Sequence, residues 1–337
     1  MKGKMKLKQN SFLLLVTILL FFIMYGIGCV LFNAQGFSKT QNFLNLFISN
    51  AGLIVIGIGM TVVMITGGID ISVGSFVAMG CMMLAWMMEK GGIGAVPAVI
   101  IVLVTGIVFG LVQGFLVAYM DIQPFIVTLA GMFFARGMTS IVHTDPFNVQ
   151  NEAFVKLKDT RVIVPGMGSV NRIGKYVNAY VEIGVIVAIL IVVIMFVMLR
   201  WTKLGRSFYA VGGNRQSALM LGINVKKTRF LAHLLSGLLA GIAGYVYFLH
   251  VGSGAATHAS GMEMNAIASS IIGGTLLTGG VGNIIGTFFG VLSLSTIQNI
   301  VSSAGLDQAW WTGITIAAML CLFLVIQSVV LARKKRK

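Results

Sequence analysis

The polar chemistry of this sequence is confined to a few residues set in long apolar runs. Its 337 residues include nine acids and four histidines against 24 Lys and Arg. The densest polar stretch, "MITGGIDISVGSFVAMG" from Met64 to Gly80, puts Gly67, Gly68, Asp70, Ser72 and Ser75 where an apolar helix would otherwise continue. Such a carboxylate with neighbouring hydroxyls fits an acid–base site, a hinge, or a capped turn between two helices. Acid–base catalysis needs a second positioned group, and no other carboxylate shares a span with Asp70. His143, His233, His250 and His258 lack ligand-like spacing, and Cys29, Cys81 and Cys321 stand singly in apolar segments. HExxH, GxSxG and GxxxxGK[ST] are all missing. These patterns identify no catalytic residue, no metal site and no phosphate cradle.

The elements that must position these residues are membrane helices. Hydrophobic residues make up 57% of the chain and charged residues 10%, with a mean hydropathy of +0.96. A soluble domain carries roughly a quarter charged residues, so the fold class is an all-α integral membrane protein. Apolar segments over about 11–32, 43–65, 70–88, 94–118, 124–142, 180–200, 229–251, 264–279, 282–301 and 310–331 predict eight to ten spans. The 264–279 segment is short for a bilayer, so broken or short helices are expected. The first run exceeds the roughly 7–15 apolar residues of a cleaved signal and reads as an uncleaved helix.

The net charge of +15 would suggest nucleic acid in a soluble protein, but here the bases cluster at helix ends, as the positive-inside rule describes. No nucleic-acid partner is expected. Residues 1–10 form a basic cytoplasmic N-terminus, 11–332 the polytopic domain, and 333–337 a basic cytoplasmic tail. Residues 201–228 form a cytoplasmic loop rich in bases, and 143–179 a folded extracytoplasmic one. Glycines at four-residue spacing (Gly106, Gly110, Gly114; Gly237, Gly241; Gly282, Gly286, Gly290) predict close helix packing.

The cytoplasmic loop holds a second patterned stretch. After Gly212 and Gly213, Asn214 is a good N-cap, Arg215–Leu221 suits a helix, and Gly222 is a good stop. So short a helix is marginal alone in water; it makes sense packed on a partner, with Ala218 and Leu221 on a common face. The acids Asp70, Asp121, Glu182, Glu263 and Asp307 fall near predicted span ends, against proton or sodium coupling. Any motor would therefore be another polypeptide. Arg136 falls inside a span, where it must snorkel, pair with an acid, or line a water path.

These residues also carry a resemblance. "GRSFYAVGGNRQSALMLGI" (Gly205–Ile223) resembles the coupling segment of permease subunits of bacterial sugar ABC importers of the ribose, xylose and galactose type. "MTVVMITGGIDISVGSFVAMG" (Met60–Gly80) resembles that family's signature, with Ile71 where Leu is usual. "PFIVTLAGMFFARG" (Pro124–Gly137) and "NAIASSIIGGTLLTGGVGNIIGT" (Asn265–Thr287) fit as well. Together with "QAWWTGITIAAML", they look most like galactofuranose-importer permeases. The resemblance implies a permease working with a second permease chain, identical or paralogous. It also implies ATP-binding subunits on the cytoplasmic face and a periplasmic or lipoprotein sugar receptor. No cofactor is expected on this chain; ATP and Mg are used by the partner subunits. Gly205, Arg206, Gly212, Gly213, Asn214, Arg215, Ala218, Leu221 and Gly222 would then couple to the ATPase.

A neutral sugar passing the bundle needs hydrogen-bonding groups without net charge. Candidates at depth include Asn50, Thr61, Ser72, Ser75, Gln113, Thr128 and Ser270, most of which suit bonds to backbone or neighbouring helices. Asn265 and Ser269 share a helical face and are preferred for the path, together with Arg136. For Asp70 two roles stay open: capping the helix that follows Gly67–Gly68, or lining the path beside a broken helix.

Overall fold

The computed structural model describes residues 2–170, 176–306 and 308–335. Helices α1 (Lys2–Leu31), α2 (Thr40–Ile65), α3 (Val73–Glu89), α4 (Ala95–Ala118) and α5 (Pro124–Val142) come first, with a short 3-10 turn at Asn33–Gln35. An extramembrane subdomain follows: β1 (Phe147–Asn148), α6 (Glu152–Lys158), β2 (Arg161–Val170) and β3 (Tyr176–Glu182). Then come α7 (Ile183–Trp201), α8 (Lys203–Gly213), α9 (Arg215–Met220), α10 (Val225–Val251), β4 (Ser253–Gly254), α11 (Met262–Ile272), α12 (Ile284–Ser303) and α13 (Ala309–Lys335). Among the described residues, seven of these helices are long and apolar enough to cross a membrane, and α3 and part of α13 are shorter apolar helices.

Helix α2 is the axis of the bundle. Every residue from Asn50 to Ile65 is buried, so its sequence is apolar all round rather than striped. In contrast, α4, α5 and α7 bury one face and expose large aliphatic and aromatic side chains on the other, as lipid-facing helices do. The four-residue glycine spacing has the predicted use. A Cβ on Gly106 would lie 2.6 Å from the Gly237 carbonyl oxygen, and one on Gly237 would overlap the backbone of Gly106 and Gly110. Helices α4 and α10 therefore meet backbone to backbone. Gly286 and Gly290 give α12 the same intimacy with Ser269 of α11 and with Gly273 just past its end.

The expected short segment is shorter still. α11 has 11 residues, rising only about 16 Å at 1.5 Å per residue, and non-helical chain over 273–283 follows it. Met262 comes against Gly52, halfway along α2. The chain over 252–261 therefore descends from the end of α10 to the middle of the bundle before α11 begins. Of the 143–179 stretch expected to fold, 171–175 lie outside the described residues; in the rest β2 and β3 pair antiparallel, and β1 pairs with β4 through Phe147–Gly254 and Asn148–Ser253. The 201–228 stretch is mostly helical rather than a loop, and α1 begins inside the basic N-terminus.

The glycine seam makes a direct prediction. Gly237→Ala forces α4 and α10 apart and costs about 1–3 kcal/mol of stability, read as an earlier thermal transition of the purified protein. Gly137→Ala, where nothing lies within 4 Å, leaves the transition in place.

Candidate functional site: a helix-end joint and a polar cavity

The sequence-selected residues gather at two places. The first is the end of the bundle that carries α8 and α9. α2 stops at Ile65, Gly67 turns the chain with φ +84°, and Thr128 donates to the Ile69 carbonyl at 3.3 Å. Gly212, at the end of α8, lies so close to Ile65 O and Gly280 N that any Cβ would overlap them. Gly280 N donates to Ile65 O at 2.8 Å, and Gly279 lies against Gly212 and Gly67. Tyr209 of α8 donates its hydroxyl to Gly282 O at 2.9 Å; burial pushes that phenol up to about 12, so it stays a neutral donor. The end of α8, the α2–α3 break and the 273–283 segment form one joint, built largely from glycine backbone. Gly205 has the same logic: a Cβ there would overlap Leu199 at the α7–α8 turn.

Beyond the joint, Asn214 caps α9 as expected, its side chain accepting from Ser217 N at 2.8 Å, and Gly222 ends the turn with φ +74°. The common face expected for Ala218 and Leu221 does not exist. Ala218 is buried against Val211 and Val225, because the six-residue helix lies flat on the start of α10. Leu221, past the helix end, points away, and Leu219, Met220 and Leu221 are 52%, 81% and 76% exposed. Arg215 does not reach out freely: with Arg229 it holds Asp121, at 3.2 and 2.9 Å. Hydrogen bonds from Arg229 and then Arg215 keep the Asp121 carboxyl below its ordinary range. Arg206 is exposed and donates to Trp201 O at 3.3 Å. Gly213 is exposed and lies against Gly280.

Asp70 lies deeper and is 2% exposed. One oxygen accepts from Ser72 N and Ser72 Oγ, at 3.1 and 2.5 Å; the other accepts from Ser236 of α10 at 2.7 Å. Gln113 of α4 donates to Ser72 Oγ at 2.9 Å. Asp70 is thus not the N-cap of α3. Ser72 holds that position without a side-chain cap bond, because Asp70 turns back to join α3, α4 and α10 in a buried network. Ser75 is buried, and Gly68 packs on Val63 and Pro124. The acids are also not all at span ends. Glu263 opens α11 in mid-bundle against Gly74, and one of its carboxylate oxygens is buried without a hydrogen-bond partner among the described residues. The hidden signal was the chain's descent over 252–261, which hydropathy alone does not register.

The second place is a polar cavity of about 340 Å³ at the opposite, hairpin-bearing end. Ser49 and Asn50 of α2, Tyr247 of α10, His258 and Ser260 of the descending chain, and Asn265 of α11 line it. Asn265, expected on the path, lines this cavity. Ser269 does not; it is fully buried and donates to Asn265 O at 2.7 Å. Arg136 neither snorkels nor pairs with an acid. It donates to the carbonyls of Ala256 and His258 at 3.0 and 2.9 Å, pinning the descending chain. Above it, Val149 N donates to Gly252 O at 3.1 Å and Cys81 Sγ to Ser253 O at 3.3 Å. Other expected path residues are structural glue: Thr61 bonds Ser270 and Thr287 across α2, α11 and α12.

A multi-pass helical bundle with a broken helix, a polar cavity at one end and a helix-end joint at the other is the architecture of a membrane transport subunit. The chain belongs to the permease family described as branched-chain amino acid transport system / permease component, whose model matches residues 42–324. The relatives it resembles include permease proteins of fructose and ribose import. It is 36% identical to the fructose import permease protein FruG of Bifidobacterium longum, over 98% of this chain and 95% of the relative. It is 37% identical to the inner membrane ABC transporter permease protein YjfF of Escherichia coli, over 93% and 91%. It is 34% identical to the ribose import permease protein RbsC of Escherichia coli, over 82% of each. No solved structure matches the chain.

Two variants test these assignments. Asp70→Asn keeps an acceptor for Ser72 and melts close to wild type, whereas Asp70→Leu strands buried hydroxyls at about 1–3 kcal/mol each, seen as a lower thermal transition. Asp121→Asn releases Arg215 and Arg229, so amide exchange over 214–222 quickens; high salt, which screens exposed pairs, has the same effect on wild type.

Proposed function

We propose that this chain is the membrane-spanning subunit of an importer that carries a monosaccharide, pentose or hexose, into a bacterial cell across its inner membrane. Separate ATP-binding subunits power it and a periplasmic or lipoprotein sugar receptor feeds it. It pairs with a second permease chain to complete the pathway. The motif resemblance favours galactofuranose among the sugars. The observation that carries the reading is the exposed Leu219–Met220–Leu221 surface at α9, mounted on the joint at Gly212, Ile65 and Gly280. Three large apolar side chains on a short amphipathic turn call for a partner surface, and the joint gives that partner a path to the α2–α3 break. The bases at Arg200, Lys203, Arg206, Lys226 and Lys227 flank the same end and favour a cytoplasmic placement for it, with the hairpin outside and both termini inside. ATP binding and hydrolysis shift the bundle between states only as far as the motor binds those states with different affinity.

A second reading, a stand-alone secondary transporter, draws support from the buried carboxylates of Asp70 and Glu263, since acids at membrane depth mark ion pathways. Reconstitution separates the two. Under the first, vesicles holding this chain alone take up no labelled monosaccharide until the ATP-binding subunits and ATP are supplied. Uptake driven by an ion gradient without ATP would establish the second. Met220→Asp removes co-purification of the ATP-binding subunit and lowers uptake at least about tenfold, the loss that about 1.4 kcal/mol produces, while the thermal transition of the chain is kept.

A further inference from the structure

The hairpin-end cavity contains hydrogen-bonding groups that the fold itself does not use. The Asn265 amide makes no side-chain hydrogen bond among the described residues, and neither does the Ser49 hydroxyl. Asn50 donates its amide hydrogens to Leu46 O and Ser295 Oγ, at 2.9 and 2.8 Å, which fixes the side chain and leaves its carbonyl oxygen as an acceptor. Tyr247 supplies an aromatic wall, its ring edge-on to His258 at 5.7 Å between centroids. His258 is held by Ser253 Oγ at 3.0 Å. A rigid acceptor, a free amide, a free hydroxyl and an aromatic ring in about 340 Å³ match the small end of ligand sites, whose volumes run from about 300 to 1,000 Å³.

The charge balance narrows the occupant. No Asp, Glu, Lys or Arg lines the cavity. The Arg136 guanidinium is spent on the Ala256 and His258 carbonyls. The N-terminus of α11 starts beside the cavity at Met262, and a helix N-terminus attracts anions. Here Glu263 stands in the first turn of that helix, and a carboxylate there offsets the positive end. Neither an anion nor a cation finds a counter-charge.

Resting on the importer reading above, we propose that this cavity is a binding site for a single uncharged sugar ring. Asn50 and Asn265 engage hydroxyls, Tyr247 meets the less polar ring face, and phosphorylated or carboxylated sugars are rejected. The permease thereby holds its own weak, charge-selective sugar site, separate from any receptor.

Cysteine protection tests this on the full chain in nanodiscs. Ser260→Cys is placed at the cavity, with Cys29→Ala and Cys321→Ala, and buried Cys81 retained. D-ribose, D-fructose and D-galactose, methyl galactofuranoside, glucose 6-phosphate and galacturonate are then compared as protectants against a charged maleimide. The expected result is labelling slowed about threefold by at least one free sugar at twice its Kd, the factor 1 + [L]/Kd, with no protection by the charged sugars. Asn265→Ala in the same background abolishes protection while leaving the sugar-free labelling rate unchanged. Absence of protection by all three free sugars and by methyl galactofuranoside, or equal protection by the charged ones, overturns the proposal. If ATP-driven uptake by the complete transporter persists in that case, the importer reading stands and only the cavity site falls.

Discussion

A bilayer offers no hydrogen-bond partner to an unpaired peptide group, and that constraint governs this structure. Among the described residues the backbone leaves helical geometry within the bundle at 66–72, 252–261 and 273–283, and at each a donor from elsewhere in the chain meets a freed carbonyl. Ile65 O receives Gly280 N, Ile69 O receives Thr128, and Gly282 O receives Tyr209. Ala256 O and His258 O receive Arg136. Every one of these donors comes from a different part of the chain from its acceptor. Breaking the helices is therefore what ties distant elements together.

The glycines serve the same end. Lipid gives helices little hydrophobic reason to associate, so α4 and α10 are held by contact so close that only backbone fits between them. With that seam and the buried Asn50–Ile65 length of α2 as a stiff frame, the polar residues divide into two groups. Thr61, Ser270, Thr287 and the Asp70 network satisfy one another and brace neighbouring helices. Asn265, Ser49 and the carbonyl of Asn50 do not, and they face the same cavity.

Much of this was legible in the sequence for physical reasons. Long apolar runs fix where helices lie, the four-residue glycine spacing fixes which faces touch, and Asn214 and Gly222 mark the ends of α9 by local cap chemistry alone. What the sequence hid is what depends on depth. Glu263 looked peripheral because hydropathy merges 264–279 into one span, whereas the chain has already descended to mid-bundle before α11 begins. Ala218 and Leu221 looked like one face because helical periodicity assumes the helix continues; it ends at Met220, and the burial of Ala218 comes from Val211 of α8 and Val225 of α10. Asp70 looked like a cap because its offset from Val73 suits one, and its bond to Ser236 crosses 166 residues of sequence.

The joint at Gly212 also bears on how this protein tolerates change over time. Side-chain contacts can drift, since a lost methyl on one partner can be made good by a gained one on the other. A seam of carbonyl and amide groups has no such reserve, because there is nothing on it to substitute. Substitution at the joint is thereby confined to what its backbone packing admits, while the cavity, lined by ordinary side chains, can be reshaped residue by residue without touching that seam.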